Sequence, residues 1–212
     1  MERVLFNAQE HAANAHYQIW QVAYKTGEAQ RVTNDLISYR MFSLTANSDG
    51  LAVIQGEAEA NTRSGDNILR KVAIDGGQPV QLTNFPSGRP VVSPDGKQIA
   101  CTYQENRDAP VKIAVISFEG GSPLKTFPLL SDVEATAVII RWTADGREIV
   151  YPRTINGVSN LWAQPVDGGQ PRQMTYFTSD RIFWFDFSRD GKQLALSRGT
   201  LTGDIVLIRD FG

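Results

Sequence analysis

The sequence predicts an all-β chain in which one four-stranded antiparallel unit recurs around an axis: an open, partial β-propeller of about four and a half blades. Three observations lead there. First, four stretches place Asp-Gly ahead of a short apolar run: "ANSDGLAVIQ" (46–55), "VSPDGKQIAC" (92–101), "WTADGREIVY" (142–151) and "FSRDGKQLAL" (187–196). Their aspartates, Asp49, Asp95, Asp145 and Asp190, stand 46, 50 and 45 residues apart. Second, another marker keeps pace: "KTGEAQRVTN" (25–34), "IDGGQPVQLT" (74–83), "FEGGSPLKTF" (118–127) and "VDGGQPRQMT" (166–175) each set glycine ahead of a polar–apolar alternation. A shared period of about 45 residues suits a four-stranded blade. Third, Asp-Gly between apolar runs is a hairpin signal, because glycine takes positive φ cheaply and aspartate caps its own turn.

Taken in order, the repeats cover approximately residues 1–35, 36–85, 86–129, 130–177 and 178–212, one β-propeller region in all. The first offers "RVLFNA", "YQIWQVAY" and "AQRVTN", without an innermost strand. The Ala-rich "AQEHAANAH" (8–16) inside it is too short for a stable helix and reads as a loop. The second is marked by the turn residues Asp49, Gly50 and Gly77. The third can be followed strand by strand: "RPVVS", the turn at Asp95 and Gly96, "QIACTY", the loop "QENRDAP", "VKIAVISF", the turn at Gly121, and "PLKTF". The fourth turns at Asp145 and Gly146 and again at Gly169; Pro165 in its third strand removes a ladder donor and points to an edge or a bulge. The fifth runs "RIFWFDFS", the turn at Asp190 and Gly191, "QLALSR" and "DIVLIRDF", without an outermost strand. Eighteen strands result, as in a segment cut from a larger ring, the C-terminal part of a longer protein. Ile205 to Ile208 would form an unpaired apolar edge.

Side-chain pattern indicates how blades stack. "RIFWFDFS" is apolar on both faces, as expected of a strand sandwiched between layers, with Asp186 as a carboxylate that needs donors or the central channel. Trp142 and Phe42, just ahead of their Asp-Gly turns, read as core; Val92 stands where an aromatic is usual.

"Ser-Pro-Asp-Gly-Lys-Gln-Ile-Ala" (93–100), its variants at 145 and 190, and the "DGGQPxQ(L/M)T" echoes resemble the WD40-like repeats of TolB-type β-propellers over nearly the whole chain. More narrowly, "KIAVISFEGGSPLKTF" and "GVSNLWAQPVDGGQPRQMTYFTSDRIF" are similar to the C-terminal propeller of acidobacterial serine/threonine kinases. That resemblance implies a bacterial protein with a kinase domain upstream, whose extracytoplasmic part this would be.

Composition narrows the function classes. Lys plus Arg number 21 and Asp plus Glu 23, a net charge of −2, which gives no basic footprint for nucleic acid. Cys101 is alone, so neither an internal disulfide nor a multi-cysteine zinc site can form; within an apolar strand it reads as a small buried hydrophobe. No apolar run approaches the ~18 residues that span a bilayer. The terminal Asp210-Phe211-Gly212 is the magnesium-binding tripeptide of kinases, but no H-R-D loop or activation segment accompanies it, so it reads as accidental. His11 and His16, with Glu10, lack a diagnostic metal spacing; "GVSNL" (157–161) lacks the second glycine of a nucleophile elbow; the turn aspartates do not follow the calcium-loop pattern. The expectation is a chain without catalytic residues, cofactor or metal.

The looser connections carry the binding expectation, since loops on a rigid scaffold are where partners dock. These are 56–67, 104–110, 153–160 and 197–204, with 85–89, 130–137 and 178–181, which an up-and-down blade gathers on one face. Arg63, Arg107, Asp108, Asn156, Asp180 and Arg181 are the candidate contacts for a protein, peptide or small-molecule ligand. The resulting expectation is a sensory or interaction module of a kinase. The alternatives are the propeller of a prolyl-oligopeptidase-type hydrolase and a TolB-like periplasmic scaffold.

Overall fold

The computed structural model describes residues 3–9, 16–35, 37–45, 50–56, 67–106, 108–129, 139–188 and 190–200, with residues 50–56 described by their backbone alone. Every regular element among them is a strand. The first sheet holds β1 (Arg3–Ala8), β2 (Gln18–Ala23) and β3 (Ala29–Arg31). The second holds β4 (Ser38–Leu44), β5 (Gly50–Gly56), β6 (Ile68–Ala73) and β7 (Val80–Gln81). The third is β8 (Ser87–Val92), β9 (Gln98–Tyr103), β10 (Lys112–Ser117) and β11 (Lys125–Pro128). The fourth is β12 (Arg141–Trp142), β13 (Glu148–Ile155), β14 (Val158–Pro165) and β15 (Arg172–Gln173), and the fifth pairs β16 (Arg181–Phe187) with β17 (Leu194–Gly199). Each is an antiparallel meander in chain order, and the five do not close into a ring: the architecture is a partial propeller. An eighteenth strand, its proposed free edge at 205–208, the Asp-Phe-Gly end and the Ala-rich segment 10–15 lie outside the described residues.

Strand alternation explains the stacking. Successive residues of a strand face opposite sides, so a strand apolar at every position can serve two neighbours. On β9, Ile99 and Cys101 pack with Leu69 and Leu82 of the second sheet, while Ala100 packs with Ile140, Trp142 and Tyr151 toward the fourth. β10 divides likewise, Ala114 and Ile116 to one side and Ile113 and Val115 to the other. Ile19, Val32, Tyr39 and Val72 fill the seam between the first two sheets; Val150, Leu161, Ile182 and Phe185 fill the last. Burying each valine, leucine, isoleucine or phenylalanine among them contributes roughly 1.5–3 kcal/mol. Burial pushes the Cys101 thiol up to about 12, as befits the small buried hydrophobe that the sequence indicates.

The Asp-Gly turns share one geometry. Ser93, Thr143 and Ser188 each donate to the turn carboxylate at 2.6 Å, and the amides of Lys97, Arg147 and Lys192 donate to the same oxygen at 3.1 Å. These bonds, the hydroxyl's first, hold Asp95, Asp145 and Asp190 below the usual carboxylate range. The glycines also mark close approaches between sheets. Gly121 N donates to Leu82 O at 2.9 Å, and a Cβ on Gly120 (φ +85°) would lie 2.6 Å from that oxygen. A Cβ on Gly191 would lie 2.7 Å from the Ala144 Cβ.

Threonines at the ends of "RVT", "QLT" and "QMT" form a second repeated device. The Oγ1 atoms of Thr33, Thr83 and Thr175 accept the amides of Ile19, Leu69 and Leu161 at 2.9–3.0 Å. In the third sheet Phe127 stands opposite Ile113, Pro128 follows in the threonine's place, and the latch is absent.

Several expectations are corrected. Gly50 opens β5 opposite Ala73, so it is a strand residue; the hairpin Leu44–Leu51 encloses six residues, as do Val92–Ile99 and Trp142–Ile149. Counting from those ends puts Leu44, not Phe42, at the place of Trp142, while Asp49 lies outside the described residues. A glycine that opens a strand looks in sequence like one inside a turn. Gly168 (φ +107°), rather than Gly169, takes the positive φ before β15. Of the edge or bulge expected at Pro165, only the bulge fails: Pro165 closes β14 in regular register, and β15 pairs only with Trp162 and Ala163, so the missing donor falls on an open edge past that ladder. Residues 153–160 are a tight hairpin instead of a loose loop: Asn156 (φ 51°) and Gly157 (φ 80°) form the two-residue turn that suits strand twist. Likewise 87–89 belong to β8 and 197–199 to β17.

Candidate functional site

The loop residues chosen from sequence scatter. Asp108 is exposed in a turn where its amide donates to Asn106 Oδ1 at 3.0 Å. Asn156 sits at the β13–β14 hairpin tip. Asp180, left-handed at φ 65°, leads into Arg181, the first residue of β16; its carbonyl accepts Ser159 N at 3.0 Å, which ties it to the Asn156 hairpin. Asn156, Asp180 and Arg181 therefore lie on neighbouring elements, and Asp108 stands apart on the third sheet. Arg63, Arg107, Asp49 and His11 lie outside the described residues.

The innermost strands provide a more specific arrangement. β4, β8 and β16 each carry a one-residue bulge, between Tyr39 and Phe42, Gly88 and Val91, and Ile182 and Trp184. Such bulges bend a strand and re-aim its side chains. Beyond them, one repeat position joins each inner strand to the next. Ser43 Oγ accepts Val92 N at 3.0 Å, Val91 O accepts the Trp142 indole at 2.8 Å, and Arg141 Nε lies 3.2 Å from Asp186 Oδ1.

An open cavity of about 230 Å³ lies against these junctions. Leu44, Val91, Trp142 and Phe187 give it apolar wall; Arg141 and Asp186 give it charge. The Arg141 side chain is 19% exposed, stacks over the Trp184 ring at 5.0 Å and donates through Nη1 to Ile140 O. Asp186 is 57% exposed, and its Oδ1 also accepts Phe187 N at 2.9 Å. Asp186 thus finds the donor its position demanded, but the strand is not sandwiched: Phe183 and Trp184 remain 39% and 47% exposed. The bulge takes the strand out of strict alternation there, so the both-faces reading fails at those two side chains.

Sequence reasoning flagged Asp186 but missed Arg141 as its partner. The available signal was the change of residue type at one repeat position, through Ser43, Val91, Arg141 and Asp186.

His16 comes within 3.3 Å of Ser38 Oγ, an oxygen that also accepts Tyr17 N, while Asp35 accepts the Tyr39 hydroxyl at 2.7 Å. These bonds tie the first two sheets together and use the nearby carboxylate on tyrosine. Among the described residues no group of three His, Cys, Asp or Glu side chains could hold a metal, and no helix is long and apolar enough to cross a membrane.

No family model matches the chain. Two curated proteins share sequence with about half of it. Dipeptidyl-peptidase 5 of Porphyromonas endodontalis is 32% identical over 121 residues, 55% of this chain and 16% of that protein. Tricorn protease homolog 1 of Streptomyces coelicolor is 34% identical over 128 residues, 57% of this chain and 11% of that protein. The match thus spans only a small part of each relative's length. Among solved structures, TolB from Acinetobacter baumannii superimposes with a TM-score of 0.72 at 18% identity, over 92% of this chain and 46% of that one. The β-propeller domain of the trilobed protease from Pyrococcus furiosus, described as having an open velcro topology, gives 0.60 at 8% identity, over 93% and 68%. At such identities the likeness shows the fold alone, a β-propeller architecture.

Proposed function

We propose that this chain is a non-catalytic binding module that holds a protein, peptide or small ligand against its inner strands. One observation carries the reading: the cavity at the inner-strand junctions combines apolar wall with a partly exposed ion pair. Surface of that kind serves recognition, in which a few placed polar groups orient an apolar contact. The finer reading, from the repeat resemblance, is the sensory or interaction part of a bacterial serine/threonine kinase. A ligand would then act by binding two states of the whole protein with different affinity.

A second reading is favoured by the two curated relatives, both named as peptidases: a propeller that admits substrates to a larger hydrolase. The test is to express the complete reading frame and the 212-residue chain side by side. Autophosphorylation is followed with radiolabelled ATP and peptidase activity with dipeptide nitroanilides. Phosphate transfer by the full product alone supports the kinase reading, and nitroanilide release by it alone supports the second. Turnover in either assay by the 212-residue chain overturns the non-catalytic assignment.

A further inference from the structure

We infer that the Arg141–Asp186 pair reads the backbone of an extended polypeptide segment, one apolar side chain of which enters the neighbouring cavity; this rests on the binding reading above. Arg141 Nε faces Asp186 Oδ1 at 3.2 Å and Nη1 donates to the Ile140 carbonyl, while Nη2 makes no hydrogen bond among the described residues. Asp186 spends Oδ1 on Arg141 and on the Phe187 amide, which leaves Oδ2. Two residues lining one cavity thus offer N–H donors beside a carboxylate acceptor.

The chemistry of that pair selects the ligand. An anion gains from Arg141 but meets the Asp186 charge beside it, and a cation meets the reverse. A neutral group carrying its own acceptor and donor satisfies both. In an extended peptide, the carbonyl and amide of one residue open toward the same side, which is how strands pair edge to edge. The apolar wall of Leu44, Val91 and Phe187 then takes that residue's side chain. Size agrees: about 230 Å³ is below the ~300–1,000 Å³ typical of drug-sized ligands. It suits a single anchoring side chain, as in peptide recognition where main-chain bonds give affinity and pockets give specificity. A saccharide would also supply paired donors and acceptors. It gains most by stacking on an aromatic face, however, and Arg141 already covers one face of Trp184.

The test uses indole N–H signals of the ¹⁵N-labelled chain. Trp142 and Trp184 report on the site, and Trp20 and Trp162 on the remaining fold. The probes are N-acetyl-leucine N-methylamide, its glycine analogue, sodium acetate and methyl glucoside. The expected result is a saturable shift of the Trp142 and Trp184 signals by the leucine compound, with weaker binding of the glycine analogue. In Asp186→Ala, with Trp20 and Trp162 unmoved, the dissociation constant should rise about tenfold or more, as for the loss of a hydrogen bond to a charged group. Equal binding by Asp186→Ala, or tighter binding of acetate or the glucoside, overturns the peptide assignment and leaves the binding site standing. If no probe moves Trp142 or Trp184, the site itself falls.

Discussion

Between the second and third sheets, Ser43 meets the Val92 amide behind a fully buried wall of Leu69, Ile99, Cys101 and Ile116. Between the fourth and fifth, the equivalent inner position holds Arg141 and Asp186, and Phe183 and Trp184 stand half-exposed beside them. The repeat frame is common to both; the side chains are not. A neutral seam whose amide is satisfied by a hydroxyl makes a rigid stack and offers a partner apolar wall but no charged group. A charged seam on an open cavity keeps unspent hydrogen-bonding capacity, which an interior would not tolerate. The difference teaches where to look in a repetitive fold: the repeat sets the scaffold, and the departure from it sets the chemistry.

The contrast is broken most severely by emptying the neutral seam. Leu69→Ala should cost about 2–5 kcal/mol, because a fully buried leucine leaves a cavity that its neighbours only partly fill. Phe183→Ala, on the open seam, should cost well under that, and paired urea titrations of the two variants give the comparison directly. Next comes Gly120→Ala. The added Cβ would meet Leu82 O at 2.6 Å while φ stays at +85°, so the second and third sheets must separate. Gly77→Ala serves as its control, with positive φ but nothing within 4 Å of the new carbon. The expected loss is about 1 kcal/mol for the control, from backbone strain alone, and more than that for Gly120→Ala. Equal losses would show that the close approach contributes nothing.

Much of this scaffold is legible in the sequence. "QIACTY" is β9 to the residue, and "RVLFNA" is β1, because apolar runs bounded by turn residues define strands with little help from context. Legibility fails where two arrangements share one local pattern. Asp49-Gly50 and Asp95-Gly96 look alike in sequence, yet Gly50 pairs with Ala73 as a strand residue whereas Gly96 takes positive φ in its turn. "RTINGVSN" contains the Asn-Gly signal of a two-residue turn, masked by polar neighbours that suggest a longer loop. The Arg141–Asp186 site was half legible: an inner-strand aspartate among aromatics demands a donor, but the donor lies 45 residues earlier in another sheet.

The turn aspartates give the pH arm of the comparison. Asp95, Asp145 and Asp190 have folded values lowered by hydroxyl and amide donors, so the unfolded chain binds their protons more readily. Their contribution is therefore complete above the unfolded carboxylate value of about 3.9 and is lost as pH falls through the lowered folded values. Melting temperatures measured from pH 7 down to pH 2 should fall less steeply at the acid end when all three are changed to asparagine. An unchanged acid limb would mean that the hydroxyls hold these turns whatever the charge.

The smallest expected effect sharpens the comparison most. Asp186→Asn removes the charge that faces Arg141 but keeps an acceptor near Phe187 N. Because Asp186 is more than half exposed, the stability lost should lie within about 0–1 kcal/mol, the range of solvent-screened pairs. A double-mutant cycle with Arg141→Gln isolates the coupling. If coupling is that small, the fold does not need this pair, whereas Ser43 and the Leu69 wall answer to packing. A coupling well above that range would make the pair a structural clamp, and the argument that its spare donor and acceptor await a partner would lose its footing.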